Sequence, residues 1–280
     1  MNEYQNIELD ILKEIIYVLK EHNLTYYAIG GTCIGAIRHK GFIPWDDDID
    51  IALPRKDYEL FRTKLWKELP DYLKLLDYDT TESNNFLFSK IHDIRTTMID
   101  SYAKDDPERY TGAFVDIMPV DGLPNDKEDA IDEIHRYNDL IRMNNIIRGA
   151  RKEFPYRVAR RLIKSIHSYN YYTNKLFDRS SSFIYGNSDF ISFTWRPEKD
   201  IGLKRVMFNY IDFETQIEVP FEDIMISVPS GFDNYLRQDF GDYMKLPAIE
   251  DRNSGHDRYI YDCDKSYRYY AELKKRGDIK

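Results

Sequence analysis

Apolar and polar positions recur along this chain with two different periods, and the changes of period mark out its elements. Ile7, Ile11, Leu12, Ile15, Ile16 and Leu19 stand at helical offsets, so residues 5–22 read as an amphipathic helix ended by His22 and Asn23. The apolar run TYYAI follows as a strand, Gly30-Gly31 breaks it, and a short helix is expected over 32–37. The stretch DIDIALP (48–54) switches to a period of two, the mark of a half-buried strand. Pro54 opens another helix, with Tyr58, Leu60, Phe61 and Leu65 on one side. Residues 73–100 read as strands in YLKLLDY, FLFSKIHDI and TTMID, and GAFVDIMPV (112–120) as one more. Residues 126–147 form a polar helix, and SDFISFTW and EDIMISVP are two extended runs within the irregular region 183–228.

The strand at 48–54 carries an unusual load. Asp46, Asp47, Asp48 and Asp50 fall within five positions, and the alternation puts Asp48 and Asp50 on one face while Ile49 and Ile51 face the core. Two such carboxylates repel by roughly 2–4 kcal/mol at ~4–6 Å and an effective dielectric of about 20. A chain keeps them together when a cation sits between them or when one stays protonated. Oxygen donors of this kind suit a hard cation, Mg²⁺ first, with Mn²⁺ as the alternative. Upstream, Gly30, Gly31 and Thr32 stand where a strand turns into a helix, and the free backbone N–H groups there make a phosphate cradle. Either feature alone is compatible with an ordinary turn or a solvated loop. Together, in this order, they suggest metal-assisted phosphoryl or nucleotidyl transfer. Asp116, alone in an apolar strand, needs a partner or a metal. Asp121-Gly122 reads as a turn.

The stretch GGTCIGAIRHKGFIPWDDDID (30–50) resembles the LicD family, which includes bacterial phosphocholine transferases and is related to the fukutin group. NFLFSKIHDIRTTMID and the tail VPSGFDNYLRQDFGDYMKLPAIEDRNSGH carry further parts of the resemblance, which covers residues 24–122 and 220–256 and leaves the middle uncovered. LicD proteins look like nucleotidyltransferase-superfamily members. The resemblance therefore implies an α/β (α+β) fold: a nucleotidyltransferase-like mixed sheet flanked by helices. It implies a catalytic and metal-binding trio of Asp48, Asp50 and Asp116, with Asp116 as third ligand or as acceptor of the attacking hydroxyl's proton. It places Gly30, Gly31, Thr32, Arg38, Lys90, Arg252 and His256 among candidates for holding donor phosphates, the last two alternatively orienting the acceptor. The implied reaction moves phosphocholine from a CDP-alcohol donor to a hydroxyl of a glycan or lipid-linked glycan, of the cell-surface or teichoic-acid-precursor type, and releases CMP. CDP-ribitol, CDP-glycerol and CDP-ethanolamine are alternative donors. Nucleotidyl transfer to a small molecule and a silent nucleotide-binding domain are the rival functions. Trp45, Trp195 and Tyr243 are candidates for the aromatic cage a quaternary ammonium requires, and Trp195, Arg196 and Lys204 for pocket lining. Tyr235, Leu236 and Phe240 should pack, and Gly241 should end a helix.

Composition narrows the rest. With 280 residues, the chain divides into a core (1–125), a basic helical insertion (126–182) and a C-terminal part that completes the domain (183–280). A net charge of −9 argues against nucleic acid as a partner. No run is apolar enough to span a membrane, the acidic start does not read as a signal peptide, and Cys33 and Cys263 make neither a disulfide framework nor a zinc site, so the expected compartment is a bacterial-type cytosol. Charge reverses between 141 and 179, where Arg142, Arg148, Arg151, Lys152, Arg157, Arg160, Arg161, Lys164, Lys175 and Arg179 face only Glu153 and Asp178. With Val158, Leu162, Ile166 and Tyr169 at helical spacing, this segment reads either as a solvated helical subdomain covering the active site or as a peripheral contact with the anionic inner face of a membrane.

Overall fold

A computed structural model describes residues 1–80, 84, 86–150, 153–197 and 201–279. Helix α1 (Glu3–Glu21) starts in a reciprocal cap: the Asn2 side chain accepts from the Gln5 N–H at 2.8 Å, and the Gln5 side chain accepts from the Asn2 N–H at 3.0 Å. It buries Leu9, Ile11, Leu12, Ile15 and Leu19. Then come β1 (Tyr27–Ala28), α2 (Gly30–Ile34), a π-helical turn (Gly35–His39), β2 (Asp50–Pro54) and α3 (Arg55–Thr63). Strands β3 (Leu73–Leu76), β4 (Ser89–Asp93), β5 (Thr97–Asp100) and β6 (Phe114–Gly122) follow. The helices α4 (Lys127–Ile147), α5 (Phe154–Lys164) and α6 (Tyr171–Ser180) come next. The last part holds β7 (Phe190–Ser192), β8 (Met207–Asn209), β9 (Gln216–Phe221), β10 (Ile224–Pro229), α7 (Phe232–Phe240), β11 (Arg258–Asp262) and α8 (Tyr267–Arg276).

The main sheet runs β1-β2-β6-β4-β3, and β7 and β8 extend it from the far end of β6. Only β2 and β6 are parallel; the other pairs are antiparallel, so the sheet is mixed as expected. Its register matters for chemistry. Asp50 on β2 lies opposite Asp116 on β6, and Asp116 lies opposite Lys90 on β4, so three charged residues stand in one row across three adjacent strands. The largest apolar cluster joins α1, α3 and the sheet, from Leu12, Ile15, Tyr58 and Phe61 to Ile51, Leu53, Ile91 and Ile117. A second cluster joins α4 and α6 through Ile134, Tyr137, Ile141, Leu176 and Phe177. Strand β11 pairs with β5, so the last quarter of the chain returns to the edge of the site.

Two expectations change here. Asp121 is not in a turn: β6 continues through Gly122, and Asp121 is fully buried. The Arg55 Nε and Nη2 donate to its two oxygens at 2.6 and 2.8 Å, and Thr194 donates to it as well. The Asp-Gly turn preference yields because a buried arginine waits opposite. Removing one member of such a pair leaves an uncompensated buried charge, at a cost of ~3–5 kcal/mol. Arg55→Ala should therefore lower the melting temperature by roughly 6–20 °C, read by calorimetry; a loss near 1 °C would show that the pair is dispensable.

The basic segment is also not one helix. It breaks after α5, so Ile166 and Tyr169 lie beyond the helix end. Part of its charge is paired within the protein: buried Arg148 donates to Asn144 at 3.0 Å and to Asn84 and Asn170, Arg179 pairs with buried Glu133, and on the surface Arg142 pairs with Asp139 at 3.4 Å. Arg151 and Lys152 lie outside the described residues. Of the tail's packing residues, Tyr235 and Leu236 are buried while Phe240 is exposed beneath Arg205, and Gly241 ends α7 with φ +74°.

Candidate active site

The site forms where the β2–β6–β4 row meets the loop before β2 and the strand β11. Gly30 and Gly31 allow the loop to come this close. Gly30 takes φ +56°, and a Cβ on Gly31 would stand 2.5 Å from Asp46 Oδ2. Thr32 accepts the Asp50 N–H on its hydroxyl at 2.8 Å, which fixes the start of β2. Gly30 N–H donates to the Tyr235 hydroxyl at 2.9 Å, so the first backbone donor of the cradle is already engaged.

Lys90, buried among Phe114, Phe86 and Phe88, donates to both oxygens of Asp116 at 2.6 and 2.9 Å. At the other end of the acidic cluster, His256 Nδ1 meets Asp47 Oδ1 at 2.6 Å, and its Nε2 faces Asp48 Oδ2 at 3.6 Å. Arg258 donates from Nε to Asp47 at 2.9 Å and from Nη1 to Asp100. Asp48, Phe88, Lys90, Asp100, Tyr102, Phe114, Asp116, His256 and Arg258 line one cleft of about 400 Å³.

Burial and crowding set the protonation. Burial, then the charges of Asp48 and Asp116, push the Asp50 carboxyl well above the usual carboxylate range. Burial raises Asp116 to about 6 although Lys90 opposes the shift, and burial with Asp48 and Asp47 raises Asp46 to about 7. Asp48 is raised by burial too, against the pull of His256. Asp47 is the exception: burial works against its charge, but hydrogen bonds from His256 and Arg258 hold it below the usual range. The same Asp47 bond raises His256. Beneath the cluster, Glu8 of α1 is fully buried with neither oxygen partnered in the structure, and burial with the charges of Asp48 and Asp47 pushes its carboxyl far up.

This is a surplus of negative charge with one lysine, one histidine and one arginine to offset it, and its oxygens fit a hard divalent cation. Among the described residues, the set whose donor atoms all lie within 4.8 Å of one another is Asp47, Asp48 and His256. Asp50 and Asp116 stand outside that set, and Lys90 holds the Asp116 carboxylate to itself.

Of the phosphate candidates, Lys90 and His256 reach the cleft. Arg38 donates to the carbonyls of Tyr243 and Lys245, and Arg252 donates to the Pro247 carbonyl at 3.1 Å and stacks on Trp45 at 5.2 Å. The three suggested cage rings do not share one cage. Trp45 faces Arg252 and His39, Trp195 packs on Phe88 and Phe193, and buried Tyr243 donates to Asp233 at 2.8 Å. Arg196, expected at a substrate pocket, pairs with buried Asp239 at 2.7 Å. The rings that do line the cleft are Phe88, Tyr102 and Phe114. These three, together with Asp100, Arg258 and Glu8, are missing from the residues that the sequence motifs single out, and Asp47 figures there only as a member of the acidic run.

A profile of the LicD/FKTN/FKRP nucleotidyltransferase domain matches residues 23–138. The chain is 26% identical over 271 residues to the lipopolysaccharide cholinephosphotransferase LicD of Haemophilus influenzae, an alignment that covers 93% of this chain and 97% of that protein. A stretch of 47 residues is 40% identical to an uncharacterized protein of Rickettsia prowazekii and covers 17% of this chain and 18% of that protein.

Proposed function

Because residues 23–138 belong to the LicD family, we propose that this protein transfers phosphocholine from CDP-choline to a hydroxyl of a cell-surface glycan, such as a lipopolysaccharide or a teichoic-acid precursor. The observation that carries the reading is the Asp50–Asp116–Lys90 row, whose Asp116 and Lys90 line one cleft with Asp48 and His256. The acceptor oxygen forms a bond to the phosphorus that bears choline. The bond from that phosphorus to the oxygen of CMP breaks, and the acceptor's proton passes to a base. Asp116, with a carboxyl near pH 6, is suited to take that proton. Lys90 and His256 offset phosphate charge in the cleft, and the start of α2 at Gly31 and Thr32 offers backbone donors. Asp48 and Asp50 would hold Mg²⁺, or Mn²⁺, which when bound neutralises phosphate oxygens and developing charge, and Asp116 would join them only in place of taking the acceptor's proton. The imidazole of His256 beside Asp48 makes Mn²⁺ a reasonable substitute. The rings that line the cleft already carry cations, Lys90 over Phe114 and Phe88 and Arg109 over Tyr102, so the choline reading rests on the similarity to the Haemophilus influenzae protein and not on an aromatic cage.

The test is a melting experiment with CDP-choline, CDP-ribitol, CDP-glycerol and CTP, each with Mg²⁺ and with EDTA, followed by product analysis. A ligand at ~100 times its Kd adds about 2.7 kcal/mol, so a shift of roughly 5–11 °C is expected. The expected result is the largest Mg²⁺-dependent shift with CDP-choline, and CMP as product. A larger shift with CDP-ribitol or CDP-glycerol would replace the donor. A shift with CTP alone, with pyrophosphate released, would overturn the reading in favour of nucleotidyl transfer.

A further inference from the structure

Helix α5 is amphipathic, yet it buries no residue. Phe154, Val158 and Leu162 follow at four-residue steps, with Ile166 just past the helix end. They are 77%, 47%, 63% and 76% exposed. At 100° per residue Phe154, Val158 and Leu162 form one continuous outward arc, and Ile166 follows in the turn after it. Arg161, Arg157 and Lys164 occupy the arc directly beside it and are exposed as well. On the remaining side Arg160 anchors the helix by donating to the Ile147 carbonyl at the end of α4 at 2.9 Å. Thus the helix is fixed to the body through one side and presents an apolar stripe and a basic stripe to the outside. Residues 154–177 contain no Asp or Glu, in a chain whose net charge is −9. Phe154, Arg157, Val158, Arg161 and Leu162 together line a shallow groove.

We propose that α5 docks the protein in the interface of an anionic phospholipid membrane, with Phe154, Val158, Leu162 and Ile166 entering the headgroup–acyl boundary and Arg157, Arg161 and Lys164 meeting lipid phosphates. Charge complementarity selects this occupant. A protein partner would need only an apolar groove, but an apolar stripe flanked by basic side chains within an acidic chain matches a surface that is apolar beneath and negative above. Among the described residues no helix is long and apolar enough to cross a membrane, so the contact is one of surface docking. The proposal does not depend on the identity of the donor or the reaction.

Vesicle co-sedimentation tests it, with phosphatidylcholine alone and phosphatidylcholine mixed with phosphatidylglycerol. The parent protein should sediment with the mixed vesicles, release as salt rises, and ignore pure phosphatidylcholine. Neutralising two surface charges in R157Q/R161Q should weaken binding about 30-fold. V158D/L162D should abolish it. Both variants change only exposed side chains, so melting shifts with CDP-choline and Mg²⁺ should stay at the parent value, which separates failure of the docking surface from failure of the fold or the active site. No sedimentation of the parent, or equal sedimentation of both variants, would overturn the proposal. So would a parent dimer in sedimentation equilibrium that V158D/L162D converts to monomer, because a second copy would then cover the stripe.

Discussion

Asp50→Asn should lower turnover by at least ~10³-fold and yet leave a protein that melts no lower than the parent when metal is absent. The first part follows from losing a carboxylate of the proposed cation site, since the charge stabilisation such a site supplies is several kcal/mol and each 1.36 kcal/mol is tenfold. The second part follows from the crowding. Asp50, Asp116 and Asp46 have carboxyls raised above their unfolded values, to about 6 for Asp116 and about 7 for Asp46. Between ~4, the ordinary Asp value, and these raised values the folded chain binds more protons than the unfolded one. The stability these groups contribute is therefore complete below ~4 and is lost as pH rises, through about 6 for Asp116 and about 7 for Asp46, with Asp50 acting in the same direction. The metal-free parent should be less stable at pH 8 than at pH 5 on this account, and Asp50→Asn should melt a few degrees above it at pH 8 and level with it at pH 5. Mg²⁺ should raise the parent's melting temperature at pH 8, weakly at pH 5, and not in the variant. Retained turnover, or a variant that melts well below the parent at pH 8, would remove Asp50 from the charged cluster.

Lys90→Gln should show the opposite pH signature. Lys90 is the buried cation that offsets Asp116, and breaking such a pair from one side costs ~3–5 kcal/mol. At pH 8 the variant should melt roughly 6–20 °C below the parent. At pH 5 Asp116 carries a proton in the folded state, so the unpaired charge disappears and most of the loss should be recovered. Comparing melting curves at the two pH values reads this directly. An equal loss at both would mean that what matters is the packing of the lysine stem against Phe114, Phe86 and Phe88, not its charge.

The sequence disclosed the carboxylates better than their partners, and the reason is distance along the chain. Alternation in DIDIALP sets the aspartates apart from Ile49 and Ile51 with no tertiary knowledge, and both isoleucines are buried, but β2 begins only at Asp50, so Asp48 stands in the loop before it, and Ala52 is buried on the face expected to be open. The pairing of Asp50 with Asp116 requires a parallel register between strands more than sixty residues apart, which no local pattern encodes. Asp47 looked like one more member of an acidic loop. Its partners His256 and Arg258 lie 209 and 211 residues away. Arg258 did leave a signal: it opens the alternating run RYIYD two residues beyond His256. Glu8 was hidden by its helix, where an acid among apolar neighbours at 7, 11 and 12 looks like the edge of the polar face. Asp121 shows the reverse error, a reliable dipeptide preference overruled by a buried arginine that belongs to another element.

The return of β11 to the edge of the site also fixes the order in which the protein can become competent during its synthesis. Residues 30–116 emerge from the ribosome with the acidic cluster and Lys90 in place, but the two side chains that neutralise Asp47 emerge more than 130 residues later. Until then Asp47 and Asp100 lack Arg258, and the wall of the cleft from Gly255 to Arg258 does not exist. A nascent or C-terminally clipped chain would therefore carry the glycine and aspartate motif of residues 30–50 and still have an incomplete cleft, which ties the final assembly of the site to the arrival of β11.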